Sequence, residues 1–271
     1  MSQLWSTLLY QPLVNGLIFF YKLFGNNLGW AIVALTALVR LLVMPLMKPQ
    51  LEAAKKMQAL APELEKLKKK HGEDKQKLAQ AQMELYKNAG VNPAAGCLPQ
   101  IIQYLVLIAL FQAFNQVLRP DGTEVITKLN QILYPLLRLP ASESLNLKFL
   151  WLDLSRPDVI KLPSMPALPG IFLILSAVLQ FMSAKMMSSQ TKMLAEESKK
   201  TETKTDDFSS AMQTQMVYMI PLTTLLLGLS FPSGLVIYWF LFSFFSIIQQ
   251  YSVNGWGGLA SLKIKKITKK N

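Results

Sequence analysis

Residues 208–262 read FSSAMQTQMVYMIPLTTLLLGLSFPSGLVIYWFLFSFFSIIQQYSVNGWGGLASL, 55 residues without a single Asp, Glu, Lys or Arg. A helix that crosses a bilayer needs roughly 20 apolar residues, so this stretch holds two. Ser230-Phe231-Pro232-Ser233-Gly234 divides it. A Pro/Gly turn of that length makes residues 212–229 and 235–253 a tight hairpin of spans. Three further segments qualify. Residues 28–47 carry one charge, Arg40; residues 98–118 carry none; residues 168–187 carry only Lys185, near the end. At about 1.5 Å per residue, 20 residues cover the ~30 Å hydrocarbon layer. The expected fold class is an all-α membrane protein with five transmembrane helices.

Composition agrees. Of 271 residues, 51% are hydrophobic and 16% charged, against about a quarter charged in soluble domains. Mean hydropathy is +0.28. A soluble globular protein, a collagen, a disordered chain and a disulfide scaffold are excluded. The one cysteine, Cys97, makes no internal disulfide, so no oxidising compartment is needed.

The net charge of +12 is unevenly placed. Lys and Arg number ten in residues 48–97, five in 185–211 and five after Val253; residues 119–167 carry six against five acids. Positive residues accumulate on the cytoplasmic side. The two basic loops and the tail are therefore expected inside, and five spans then put the N-terminus outside and the C-terminus in the cytoplasm. The parity and the charge bias agree. The expected organisation is an outer interfacial amphipathic segment (1–27), span 1 (28–47), a cytoplasmic helical hairpin (48–97), span 2 (98–118), an outer loop (119–167), span 3 (168–187), a cytoplasmic loop (188–211), span 4 (212–229), span 5 (235–253) and a basic tail (254–271).

Residues 4–24 are apolar but carry Pro12, Asn15, Gly16 and Lys22. They read as an amphipathic segment in the outer interface, with a sixth span or an uncleaved signal sequence as the alternatives. No basic residue precedes Lys22, which argues against a signal peptide. In the cytoplasmic excursion, Met57, Leu60, Leu64 and Leu67 recur at helical spacing; His71-Gly72 breaks the pattern, and Asp74 is placed to cap a second helix. In the outer loop, Val125, Ile126, Leu129, Ile132, Leu133, Leu136 and Leu137 form a stripe expected to lie on the membrane surface.

Enzymatic chemistry has little to work with. His71 is the only histidine, and no span contains Asp or Glu. There is no P-loop, HExxH or metal-ligand cluster in the sequence. No enzyme activity, cofactor or metal is expected. The conspicuous residue is Arg40, about 10 Å above the cytoplasmic end of its span. An arginine at a span's centre costs roughly 2.5–3.5 kcal/mol by insertion scales. It either snorkels to the headgroups or faces a wet cavity. Polar residues on the other spans weigh on that choice. Gln100 and Gln103 lie one turn apart; Ser176, Gln180 and Ser183 share a face, as do Ser243, Ser246 and Gln250. Each set alone is ordinary helix–helix hydrogen bonding. Three sets in the cytoplasmic half, with an arginine, favour a hydrated hollow. The outer halves are almost purely apolar, so the hollow is closed outside, unlike a channel lined throughout. A one-sided positive cavity attracts an acidic, hydrophilic stretch of another chain from the cytoplasm. This reading stands beside a small-solute transporter.

Several motifs carry a resemblance. Tyr86…Gly90-Val91-Asn92-Pro93…Gly96-Cys97-Leu98-Pro99…Gln103 is similar to the approach to the second core span of the YidC/Oxa/Alb membrane protein insertase family. Met216…Tyr218…Pro221 resembles the fourth span, and Pro232…Gly234-Leu235…Tyr238-Trp239…Ser246…Gln249-Gln250 the fifth. Phe149-Leu150-Trp151…Asp153-Leu154 with Pro157-Asp158 resembles the outer segment before the third, and Arg40 followed by Pro45 the first. The order and spacing are specific over residues 8–250. Leu105 and Phe242-Ser243 depart from the family pattern, which has proline and Ser-Asn at those places. The chain resembles the compact five-span bacterial form.

The resemblance implies a bundle around a hydrophilic groove open to cytoplasm and lipid, with Arg40 engaging hydrophilic tails of incoming proteins. The polar residues Gln100, Gln103, Gln180, Ser183, Ser243, Ser246 and Gln250 are the expected groove. Third- and fifth-span surfaces, represented by Ile171, Leu175, Phe240 and Phe244, are the expected slide for the substrate's apolar segment. The hairpin lysines Lys66, Lys68, Lys69 and Lys70 and the tail lysines Lys265 and Lys266 are implicated in recruitment. Implied partners are nascent membrane proteins, the Sec translocon, ribosomes and membrane lipid; a monomer suffices. The location implied is the bacterial cytoplasmic (inner) membrane. A non-catalytic scaffold for the translocon is the remaining alternative.

Overall fold

The computed structural model describes residues 3–71, 74–90, 98–118, 122–161, 163, 166–187 and 205–259. They are mostly helical. A short lead-in, Gln3–Trp5 and the π-helical turn Ser6–Tyr10, continues into α1 (Gln11–Leu23). Then come α2 (Leu28–Ala59), α3 (Ala61–His71), α4 (Lys75–Asn88), α5 (Leu98–Val117), α6 (Gly122–Asn130), α7 (Ile171–Met187), α8 (Thr205–Gly228) and α9 (Ser233–Asn254). Among the described residues, two helical stretches are long and apolar enough to cross a membrane, Leu28–Ala53 and Ser233–Val253. Shorter apolar stretches are Tyr104–Val117, Ile171–Met186 and Val217–Gly228.

The chain forms two compact units. The first comprises residues 1–43, 101–177 and 223–245; the second comprises 44–100, 178–222 and 246–271. The core of the first unit joins Val14, Leu17 and Ile18 of α1 to Ile32 and Leu35 of α2, Leu110 and Phe114 of α5, and Tyr238 of α9. The outer-loop stripe belongs to this core: Val125, Ile126, Leu129 and Leu133 are buried. This differs from the expected membrane-surface position. Apolar side chains of α1 and α6 lie in one buried cluster. Asn15 fastens the pair, donating from Nδ2 to the Ile132 carbonyl and accepting at Oδ1 from the Tyr134 amide. Only Leu136 of the stripe stands clear, 91% exposed.

The rest of the outer loop is a clasp on helix ends. Its strands are two residues each: β1 (Lys148–Phe149) pairs antiparallel with β2 (Leu152–Asp153), and β3 (Val159–Ile160) with β4 (Leu168–Pro169). At the start of α2, the Leu28 amide donates to the Asn146 carbonyl, and Gly29 lies against the Phe149 ring. At the start of α9, the amides of Ser233 and Gly234 donate to the carbonyls of Arg156 and Leu154. At the start of α7, buried Asp158 accepts the Leu173 amide at Oδ2, 2.9 Å. A helix N-terminus leaves its first amides unsatisfied, and this loop supplies the acceptors. Gly170 is required here: a Cβ on it would lie 1.8 Å from Asp158 Oδ1. Two other helices end alongside. Leu118, just past α5, packs by Gly234, and Gly228 at the end of α8 packs by Leu173.

In the second unit, α3 and α4 pack as a hairpin. Asp74 caps α4 by accepting the amides of Gln76 and Lys77, both at 3.1 Å. The break before α3 falls at Leu60, inside the stripe that the sequence reads as one helix. Pro62 explains it: proline has no amide to donate and favours the first turn of a new helix. The helix α2 runs twelve residues past the expected end of span 1 at Met47, through Pro45 and Pro49. Charge fixes where an apolar segment ends, not where a helix does. Lys55 Nζ reaches the Val253 carbonyl at 3.2 Å, complementing the C-terminal end of α9.

Candidate functional site

Arg40 is buried on α2, with 9% of its surface exposed. Its Nη2 donates to the main-chain carbonyl of Phe242 on α9 at 2.6 Å. Its Cζ lies 3.8 Å from the centroid of the Phe242 ring. One side chain is thus met twice by one residue 202 positions away. A hydrogen bond from a charged donor contributes about 1.5–3 kcal/mol, and a cation–π contact about 0.5–2 kcal/mol. Taking a guanidinium out of water costs several kcal/mol. The two contacts offset part of that cost, and an anion would offset more. A guanidinium presents a planar fork suited to a carboxylate.

The surrounding hydroxyls are inward but locally satisfied. Thr36, one turn before Arg40, donates to the Ile32 carbonyl at 2.6 Å; Ser243, beside Phe242, donates to the Trp239 carbonyl at 2.8 Å. Ser176 donates to Phe172 on its own helix, 2.7 Å, and faces the Val236 carbonyl on α9, 3.3 Å. Such bonds within the turn bend helices and leave hydroxyl lone pairs available.

The expected groove residues are distributed as follows. In the first unit, Arg40 and Ser243 lie close to Phe242, and Ser176 binds α7 to α9. In the second, Gln250 Nε2 donates to Ser183 Oγ at 2.8 Å, while its buried Oε1 has no hydrogen-bond partner among the described residues. Gln180 and Ser246 are half-buried. Gln100 and Gln103 fall on the first two turns of α5. Of the expected slide residues, Ile171, Leu175 and Phe244 are exposed and Phe240 is half-buried. Phe240 bridges α7 and α9, with its ring 5.5 Å from Phe172 and 6.3 Å from Phe244. Lys66, Lys69 and Lys70 are exposed on α3, and Lys68 shares that helix. Lys265 and Lys266, and the motif residues Val91, Asn92, Pro93, Gly96 and Cys97, lie outside the described residues.

Three residues escape the sequence reading. Thr36 carried a signal, a hydroxyl one turn from Arg40 in the sequence. Phe242 carried none, because its carbonyl is an acceptor that every residue has. Asp158 stands in the Pro157-Asp158 motif, but its burial was not legible.

The profile of the family described as 60Kd inner membrane protein matches residues 19–257. The chain belongs to this family. It is the one whose motifs it resembles, the YidC/Oxa/Alb insertases. It is 30% identical over 256 residues to membrane protein insertase YidC 1 of Halalkalibacterium halodurans, covering 93% of this chain and 79% of that one. It is 32% identical over 255 residues to membrane protein insertase YidC 2 of Listeria innocua, covering 92% and 72%. It is 30% identical over 255 residues to membrane protein insertase MisCA of Bacillus subtilis, covering 93% and 79%. Arg40, Phe242 and the α7–α9 contact all lie within the span matched to the 60Kd inner membrane protein family.

Proposed function

We propose that this chain is a membrane protein insertase of the bacterial inner membrane that moves hydrophilic tails of nascent proteins past Arg40 and releases their apolar segments into lipid. The carrying observation is a guanidinium buried in an apolar helix, donating to a main-chain carbonyl and lying over a ring, in a chain of this family. An arriving carboxylate competes for the guanidinium with a neutral carbonyl, and a charge-assisted pair is the stronger of the two. Gln180, Ser183, Ser246 and Gln250 are the further polar groups proposed to meet the tail. No bond is made or broken, so the step needs no cofactor.

The driving forces are physical. Burying the apolar segment in lipid contributes about 25 cal/mol per Å². The membrane potential adds up to about 2.3 kcal/mol per charge per 100 mV and favours moving acids outward. The exposed apolar side chains of Ile171, Leu175 and Phe244 form the release surface.

Five spans belong to the same proposal, with the N-terminus outside and the C-terminus in the cytoplasm. Its support is that α2, α7 and α9 begin at one loop while α5 and α8 end beside it, the alternation that five crossings require. The Sec translocon and the ribosome are proposed partners, with the exposed lysines of α3 receiving the ribosome-borne substrate. A photoreactive residue replacing Leu175 or Phe244 tests the release surface. It should capture the apolar segment of a stalled nascent membrane protein. Adducts confined to outer-loop positions such as Ile160 would overturn the assignment.

A further inference from the structure

The outer loop turns at Leu150-Trp151, between β1 and β2. Tight hairpin turns need left-handed backbone, which is why Asn and Gly prevail there. Leu150 holds a φ of 54°, in a region that is uncommon for residues other than glycine. Its side chain is nevertheless 64% exposed, and that of Trp151 62%. A water-facing loop would gain twice from Asn or Gly at 150, in backbone preference and in polarity. A large apolar pair at this turn therefore needs an apolar environment to meet.

The neighbours of the turn fix its depth. Trp151 stacks on Phe172, the second residue of α7, at 5.5 Å. Phe149 meets Trp30, the third residue of α2, edge-on at 5.4 Å, and Trp30 is itself exposed. The turn thus sits level with the first turns of two apolar helices. Tryptophan collects where lipid tails meet headgroups, and the exposed cation of Lys148 at the base of the turn suits phosphate. We propose that Leu150 and Trp151, with Trp30, form an interfacial anchor seated in the outer leaflet at the boundary of headgroups and acyl chains. The partner is the lipid surface itself. Through the Trp151–Phe172 stack, the anchor sets the depth of the outer end of α7, where the release surface begins. The inference rests on α2 and α7 being embedded with their N-termini outside.

The test uses the full chain in vesicles of phosphatidylethanolamine and phosphatidylglycerol. In a Cys97→Ser background, Leu150→Cys carries an environment-sensitive NBD fluorophore, with Trp151→Cys as a second site. Ile174→Cys, one turn into α7, reports embedding. Spin-labelled lipids quench according to depth, and an aqueous nickel complex quenches what water reaches. The expected result is strong quenching at 150 and 151 by headgroup and shallow acyl labels, weak quenching by deep labels and by nickel, and deeper quenching at 174. Lipid quenching at 174 with nickel quenching at 150 and 151 would overturn the anchor and leave the embedding intact. Shielding of 150 and 151 from both lipid labels and nickel would overturn it in favour of a protein partner or a second copy. Absence of lipid quenching at all three sites would overturn the embedding and the anchor together.

Discussion

The guanidinium of Arg40 and the main chain of Phe242 are joined by a 2.6 Å hydrogen bond, with the Phe242 ring lying over the charge at 3.8 Å. The relationship separates charge from cover. Phe242→Leu keeps the carbonyl and removes the ring. It should weaken retention of Arg40 by about 0.5–2 kcal/mol without removing the positive centre. Insertion of acidic-tailed substrates should therefore persist in Phe242→Leu and fall in Arg40→Ala. Arg40→Lys keeps the charge without the fork and should lie between them. Initial insertion rates for the three variants, measured side by side, check the order.

Asp158 and Gly170 are a fitted pair at the start of α7. Gly170→Ala forces a methyl group to within 1.8 Å of the Asp158 carboxylate, and that carboxylate also holds the Leu173 amide. Overpacking of this kind costs about 1–3 kcal/mol. Asp158→Asn keeps an acceptor for the amide and should cost less. Thermal unfolding in detergent should rank Gly170→Ala below Asp158→Asn, and both below the unsubstituted chain. Equal melting temperatures for Gly170→Ala and the unsubstituted chain would contradict the clasp.

Gln250 sets stability against function. Its Oε1 is buried and lacks a hydrogen-bond partner among the described residues. Its Nε2 donates to Ser183 Oγ, and replacing both partners of a hydrogen bond by apolar groups can be nearly neutral or stabilising where removing one alone is not. Gln250→Leu combined with Ser183→Ala should leave the melting temperature unchanged or raised while slowing insertion, because the proposed route loses two polar groups. A lowered melting temperature with normal insertion would reverse the assignment.

Asp74 gives a pH prediction. Amide and ammonium donors of Lys77, with a further amide from Gln76, hold its carboxyl below the ordinary value of 3.8. A carboxyl lowered by folding stabilises above its unfolded value, and the contribution is lost as pH falls through the lowered value. The first turn of α4 should be fully protected at neutral pH and fray only below about pH 4. Asp74→Asn, which caps without titrating, should abolish that dependence. Amide exchange across the Lys75–Asn88 helix of the intact protein, followed against pH, reads both.

The apolar helices were legible because an uncharged run long enough to cross a bilayer has few other uses. Arg40 was legible for the same reason, a charge where charge is expensive. What met it was not, since a carbonyl acceptor has no sequence signature and the pairing depends on how α2 and α9 pack. The clasp was hidden too: strands of two residues cannot display alternation, and the burial of Asp158 follows from Gly170 approaching it. The α6 stripe showed its periodicity plainly, but periodicity does not say whether lipid or α1 covers it. The same gap separates the expected end of span 1 at Met47 from the end of α2 at Ala59.

The most direct test is insertion by the purified protein alone. Reconstituted in liposomes, it would be offered a small single-span protein with an acidic tail, and protease protection would report crossing. The account predicts protection that needs no nucleotide or translocon. Protection should fall to the level of empty liposomes plus a residue of roughly a tenth or less in Arg40→Ala, the loss expected for one charge-assisted contact of about 1.5–3 kcal/mol. Protection by folded Arg40→Ala equal to that of the unsubstituted protein, across acidic-tailed substrates, would contradict it.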